Sequence, residues 1–415
     1  MYLTDIRLNL IIARMYKRHL EKKILKYSKE YPILALVGPR QSGKTTLSKA
    51  LFPKHKYVSF ENIDLRNAAL EDPRGFLDDL GSKAILDEVQ RVPDLFSYLQ
   101  ELVDVNPAPG QYILTGSSQF LLIEKITQSL AGRIVTFKLY PLTFTELNDC
   151  PADLNFESIF LKTYEKRKII SQTNLYKILL KGFYPRIYDK KLDSYKWYEN
   201  YLFTYVERDV RSLLNVRNLK LFEQFLLLLA SNSAQLINYT TFSNALGISI
   251  PTVKEWMSLL ETSGIIFILQ PYFKNYSKRI IKTPKIYFVD TGLLCTLLRI
   301  RNIEHLKVHP HLGHIFETFI ISECFKRFHN LGETPPLYFW RDQSQSEIDL
   351  IIDYGAFSLP IEIKSSQTFN SNFKKSILSW MALKDNQNEQ GRIIYSGKNI
   401  LSKKGPISAV PWYYL

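Results

Sequence analysis

Residues 38–46 read Gly38-Pro39-Arg40-Gln41-Ser42-Gly43-Lys44-Thr45-Thr46, a complete G-x-x-x-x-G-K-T phosphate-binding loop. The stretch before it, Tyr31 to Val37 (YPILALV), is a short apolar run of buried-strand character, and Thr46 to Leu51 can open a helix. Strand, glycine loop and helix N-terminus together make an anion site, because free backbone N–H groups and the positive end of the helix dipole point at the phosphates. Gly38 and Gly43 permit the tight backbone path, Lys44 reaches the β- and γ-phosphates, and the Thr45 hydroxyl can ligate Mg²⁺. The loop predicts that the chain binds a nucleoside triphosphate, ATP with Mg²⁺.

About forty residues downstream, Ala84-Ile85-Leu86-Asp87-Glu88 is an apolar strand ending in two carboxylates. Asp87 is placed to hold Mg²⁺ and Glu88 to polarise the attacking water. A third strand, Gln111 to Leu114, runs into Thr115-Gly116-Ser117-Ser118, where Ser117 or Ser118 is a candidate γ-phosphate sensor. Arg133, closing Ser129-Leu130-Ala131-Gly132-Arg133, is a candidate finger for a neighbour's γ-phosphate, since arginine stabilises charge developing in phosphoryl transfer.

In this order, GPRQ-x-GKTT, LDE-x-Q, LTGS and SLAGR resemble the AAA-type ATPase superfamily, and within it a prokaryotic group carrying all four motifs. The resemblance covers roughly residues 15–145 and continues through Gly182-Phe183-Tyr184-Pro185 and Glu207–Arg211, although Lys181 stands where that group tends to have a second glycine. It implies an N-terminal ATPase followed by a restriction-endonuclease-like C-terminal half.

At 415 residues the chain predicts two or three domains, and 46% hydrophobic with 23% charged residues is globular composition. No apolar run reaches the length of a membrane span, and the N-terminus reads as neither signal peptide nor anchor. Cys150, Cys295 and Cys324 are too few and too scattered for a disulfide framework, which favours the cytoplasm. His309, His311 and His314 are the nearest approach to a histidine cluster, and read as solvated surface. A net charge of +14 and a pI near 9.3 favour a polyanionic partner, DNA first.

Residues 146–221 read as a basic helical linker region, with Glu207 and Arg211 as a helix ion pair. Residues 222–290 have the organisation of a winged helix. Phe222 to Ala230 is an apolar helix, Thr241 to Leu260 reads helix, glycine turn, helix, and Ile265–Gln270 can pair with Lys285–Val289. Two readings stay open there. In one, Thr252, Lys254 and Glu255 enter a DNA groove, with Lys274, Lys278, Arg279 and Lys282 as a basic wing. In the other, the module transmits the nucleotide state within the chain.

The last segment, 291–415, carries Asp349 on one predicted strand and Glu362-Ile363-Lys364 on the next, around a turn at 353–358. Alternation aims Asp349 and Glu362 at a common face, two hard oxygen ligands for Mg²⁺ or Mn²⁺, with Lys364 beside them to orient a nucleophile. D-x12-E-x-K is similar to the PD-(D/E)XK nuclease superfamily. Glu317, on an amphipathic helix opening at Gly313, stands where resolvase-like members carry an extra glutamate. The expected architecture is therefore α/β: a P-loop AAA-type ATPase domain (1–145), a helical and winged-helix middle, and an α/β restriction-endonuclease-like domain. The expected function is an ATPase acting on DNA with a nucleotide-regulated, metal-dependent nuclease, as a monomer or a homo-oligomer. The alternative is an ATP-driven switch or scaffold that binds a partner without cleaving.

Overall fold

A computed structural model describes residues 16–116, 129–150, 174–205, 219–272, 283–342, 346–383, 390–401 and 405–414. Ser117, Ser118, Glu207, Arg211 and the basic wing residues lie outside the described residues.

The first unit alternates strand and helix, the pattern that builds a parallel sheet covered on both faces. Helix α1 (Glu21–Tyr27) leads into β1 (Ile33–Val37) and α2 (Lys44–Leu51), then β2 (Lys56–Ser59), α3 (Ile63–Glu71) and α4 (Pro73–Leu80). Strand β3 (Ala84–Asp87), α5 (Leu95–Val105), β4 (Tyr112–Gly116) and β5 (Ile134–Lys138) complete it. All five strands run parallel in the order β2-β3-β4-β1-β5. Period-two alternation divides β1 between two layers. Ile33, Ala35 and Val37 pack with Leu77, Phe96 and Leu99, whereas Leu34 and Leu36 pack with Ile24 and Leu47. Placing β4 between β1 and β3 brings the C-terminal tips of all three to one edge.

A capping box, Thr143 with Glu146, starts α6 (Phe144–Leu147). Helices α7 (Leu175–Lys181), α8 (Pro185–Asp189) and α9 (Ser194–Tyr205) follow. Gly182, between α7 and α8, has φ +65°, and any Cβ there would collide with Tyr198 and Asp290. Asp290 accepts from the Phe183 N–H at 2.7 Å and from the Tyr198 hydroxyl at 2.6 Å. Then come α10 (Leu219–Ser231), β6 (Gln235–Leu236), α11 (Tyr239–Leu246), α12 (Ile250–Thr262), β7 (Ile266–Pro271) and β8 (Lys285–Phe288). Strands β7 and β8 pair antiparallel, as their sequences predict. On α12, Lys254 and Glu255 are exposed while Trp256 is buried.

The remainder is α13 (Thr291–Leu297), α14 (Ile303–Val308), α15 (Leu312–Asn330), β9 (Leu337–Arg341), β10 (Glu347–Asp353), β11 (Ser358–Lys364), α16 (Lys375–Met381), β12 (Gly391–Tyr395) and β13 (Ile407–Pro411). Strand β7 pairs parallel with β9, so one sheet of eight strands runs β13-β12-β11-β10-β9-β7-β8-β6 across the 290/291 boundary. A single apolar core, from Tyr140 and Leu142 to Trp412, likewise runs through residues on both sides of it. The expectation of an amphipathic helix after Gly313 is corrected: α15 is buried on most sides, including Glu323, Lys326 and Arg327.

Candidate functional site

The phosphate loop folds as its residues require. Gly38 has φ +146°, Gln41 +60° and Gly43 +100°, the alternating backbone that turns successive N–H groups into one concavity. A Cβ on Gly38 would overlap the Leu139 carbonyl, so only glycine fits where β1 passes the segment after β5. Lys44 is buried, and its Nζ donates to Gly38 O and Pro39 O, both at 2.9 Å, which holds it across the loop. The loop floors a cleft of about 750 Å³. Arg40, Gln41, Ser42, Gly43, Thr45 and Thr46 line one side, and Pro185, Arg186 and Lys190 of the middle region face them.

Asp87 gathers three hydroxyls. Thr45 Oγ1 donates to its Oδ2 at 3.1 Å, Tyr57 Oη donates to the same oxygen at 2.8 Å, and Thr115 Oγ1 donates to Oδ1. Burial, then the Asp87 carboxylate, pushes the Tyr57 phenol up to about 12, which keeps it a donor. Thr45 and Asp87 thus converge as hard oxygens and fit Mg²⁺ bound with nucleotide. Glu88 lines the cleft with φ +55°, a strained setting for a non-glycine residue, and Gln90 Nε2 donates to its Oε2 at 2.5 Å.

Beneath the loop lies a buried polar chain. Arg18, 5% exposed, donates from Nη1 to Ser42 O at 2.9 Å, from Nη2 to Tyr140 O at 2.7 Å and from Nε to Glu146 Oε1 at 3.1 Å. Burial alone would raise the Glu146 carboxyl, but Arg18, His19 and the Thr143 and His19 N–H groups outweigh it and hold it at about 2. The same segment is gripped from α15. Phe144 N–H donates to Glu323 Oε2 at 2.7 Å, Lys326 Nζ donates to Leu142 O at 3.0 Å, and Lys326 pairs with Glu323.

Arg133 does not join the cleft. The parallel register Ile33↔Ile134 sets it at the strand starts, the edge opposite the phosphate loop, where its Nε and Nη2 donate to Asp104 at 2.5 and 2.8 Å. Arg133 thus lies away from the chain's own phosphate loop, at an edge from which only a neighbour's nucleotide could be reached. Sequence reasoning also missed Arg18, Tyr57 and Thr115. Only Thr115 had a readable signal, as a hydroxyl at the tip of the strand beside Asp87.

The C-terminal residues do converge. Register Leu350↔Ile361 sets Asp349 opposite Glu362, and Ile363 N–H donates to Asp349 Oδ2 at 2.7 Å. Lys364 Nζ lies 2.5 Å from Glu362 Oε1 and 3.7 Å from Asp349 Oδ2. Glu317 on α15 meets this group, but with company. Lys285 Nζ of β8 is 3.1 Å from Glu317 Oε1 and 2.5 Å from Glu347 Oε1, and Tyr287 Oη donates to Glu317 at 2.7 Å. Burial raises Glu317 and Glu362; burial would lower Lys285, but Glu317, Asp349 and Glu347 outweigh it and raise it. Glu362 Oε2 is a buried oxygen without a hydrogen-bond partner, which suits a cation. Against that, each of the four carboxyl groups has an ammonium near it, and no group of three or more His, Cys, Asp or Glu among the described residues is arranged to hold a metal ion. As it stands, this cluster does not fit a divalent metal. The rings of His309, His311 and His314 lie in a row, tilted by 37° at each step and 5.5 and 5.6 Å apart between centroids.

A parallel sheet in this order, with a glycine loop after β1 and an Asp-Glu tip two strands away on β3, is that of a P-loop ATPase of the AAA type. An "AAA domain" family model matches residues 30–148. The chain belongs to the family of an uncharacterized protein of Mycobacterium tuberculosis, to which it is 30% identical over 383 residues, 92% of this chain and 80% of that one. An uncharacterized protein of Methanocaldococcus jannaschii is 25% identical over 361 residues, 82% of this chain and 75% of its own length. Two further models, both described as "Domain of unknown function", match residues 172–304 (DUF8612) and 312–415 (DUF4143). Among solved structures, the Walker-type ATPase PABY2304 of Pyrococcus abyssi aligns over 68% of this chain and 96% of its own, at 14% identity and a TM-score of 0.43. AMPPCP-bound DnaA from Aquifex aeolicus aligns over 58% of this chain and 85% of its own, at 15% identity and a TM-score of 0.24. No helix among the described residues is long and apolar enough to cross a membrane.

Proposed function

We propose that the chain is an ATP-hydrolysing switch, in which the phosphate loop drives the C-terminal half mechanically. The observation that carries this reading is the buried chain from Ser42 O through Arg18 and Glu146 to the 142–144 segment and on to Glu323 and Lys326 of α15. A shift of the loop on nucleotide exchange would pull on a helix that also bears Glu317. Lys44 and the loop N–H groups hold the phosphates, and Thr45 and Asp87 hold Mg²⁺, which supplies charge neutralisation when bound. Glu88 orients the water and takes its proton as the new oxygen–phosphorus bond forms and the β–γ bridge breaks. Three cysteines without disulfides support a reducing compartment, the cytoplasm. A trans role for Arg133 in a homo-oligomer would require it to leave Asp104 first.

The test is phosphate release from ATP together with hydrogen exchange along α15. Wild type should hydrolyse ATP and change its α15 protection between nucleotide-free and ATP-bound forms. Lys44→Ala should lose both, and Arg18→Met should keep hydrolysis measurable while losing the α15 response. An α15 response unchanged in Arg18→Met would overturn the reading.

A second reading, action on DNA by a PD-(D/E)XK-like domain, is supported by the convergence of Asp349, Glu362 and Lys364 and by the lone Glu362 oxygen, and would require Lys285 to give up its carboxylates to a metal ion. The element order from α10 to β8 supports a winged helix there, and the net charge of +14 supports a polyanion. Cleavage of linear, supercoiled or branched DNA in Mg²⁺ or Mn²⁺, dependent on Lys364, would establish it. Binding without cleavage would leave the switch.

A further inference from the structure

The carboxylates that resemble a nuclease metal set are completed by a residue from outside that segment. Lys285 belongs to β8, five residues before the 290/291 boundary, and is 3% exposed. Its Nζ ends between Glu317 and Glu347, which come from a helix and a strand of the C-terminal segment. Tyr287, two residues along the same strand and hence on the same face, donates to the same Glu317 oxygen at 2.7 Å. Two neighbouring side chains of one strand are therefore built around that carboxylate.

We infer that Lys285 is a resident cation of this cluster, beside Lys364, standing where a divalent ion would otherwise bridge Glu317 and the β10 carboxylates. The placement is specific. A lysine needed only for solubility would extend into water, whereas this one has a buried head group within 3.1 Å of two carboxylates. A dication and an ammonium compete for the same oxygens, so with Lys285 in place the site selects against Mg²⁺ and Mn²⁺. The inference goes beyond the switch reading and does not depend on the nucleotide site.

The experiment is Mn²⁺ binding to the full chain without nucleotide, followed by loss of the free-ion electron paramagnetic resonance signal. Asp349→Asn serves to isolate the C-terminal site. Wild type should show no Asp349-dependent Mn²⁺ binding. Lys285→Met should gain an Asp349-dependent site, lost again on adding Asp349→Asn. Since Lys285→Met leaves Glu317 and Glu347 uncompensated, Lys285→Met with Glu347→Gln removes one charge of each sign and should gain the same site in a folded chain. Asp349-dependent Mn²⁺ binding in wild type, unchanged by either variant, would overturn the inference. Absence of binding in a folded double variant would overturn it equally. ATP turnover of the same preparations reports on the nucleotide site separately.

Discussion

At the residue scale, Glu88 and Arg18 show how differently two charged side chains serve the cleft. Glu88 sits at a backbone angle that costs energy and faces the cleft, the pattern of a group positioned for chemistry rather than packing. Glu88→Gln should retain ATP and lower its turnover by roughly 10²–10⁴-fold, the usual worth of a general base, as measured by single-turnover phosphate release. Arg18 acts through the loop carbonyl it holds. Arg18→Met leaves Glu146 buried without its counter-ion, which typically costs about 3–5 kcal/mol and should appear as a lower denaturant midpoint. Protons probe the same interior. His329, between Tyr140 and Phe325, is held down to about 3, first by burial and then by Lys138, while Glu146 is held at about 2. Both groups bind protons more weakly folded than unfolded, so their stabilisation is full above the unfolded values of 6.5 and 4.5 and falls below them. Thermal melts should therefore lose stability from pH 6.5 downward, and His329→Phe should lessen that loss, while His309 and His314, also held down by burial, keep part of it. A loss of unchanged size in that variant would reject the assignment. The glycines and Lys44 were legible because their spacing is itself the chemistry. Arg18 was not, because one arginine ahead of a helix looks like any surface charge until the fold closes over it.

At the element scale, the turn between α7 and α8 joins packing to the cleft, since α8 begins at Pro185 on the cleft wall. Its glycine has a positive φ and no room for a side chain beside Tyr198 and Asp290. Gly182→Ala should lose at least the about 1–2 kcal/mol of a left-handed alanine, plus the overlap, and should lower the melting temperature more than Lys181→Gly. Lys181, where the resembled group tends to have glycine, is not in the left-handed region and closes α7 instead. The strands β1, β3, β4, β10 and β11 were readable from apolar runs and alternation. Helix α15 misled that approach, because Glu323, Lys326 and Arg327 repeat like a solvated face but are spent on contacts inside the protein, two of them on the 142–144 segment.

At the scale of the whole molecule, the linear division between middle and C-terminal segments meets a sheet and a core that ignore it, while the ATPase segment keeps a sheet of its own. No local pattern announces that β7 will lie beside β9, because parallel pairing leaves no turn in the sequence. A chain cut after Asp290 should separate poorly. Residues 291–415 alone would expose the β9 edge and half of the shared core, and size-exclusion chromatography should find them aggregated. A monomeric fragment with a cooperative melt would contradict this.

The seam between β7 and β9 also has a consequence in time. Its register is short, Gln270↔Tyr338 and Pro271↔Phe339, with Tyr272 N–H donating to Phe339 O at 2.6 Å. During synthesis, Pro271 leaves the ribosome well before Phe339 does, a delay on the order of several seconds at ~5–20 residues per second. Throughout that interval Ile266–Pro271 presents an apolar strand whose rightful neighbour has not yet been made. Ribosome pausing between these two points would lengthen the wait and give a second nascent chain the chance to take the place of β9.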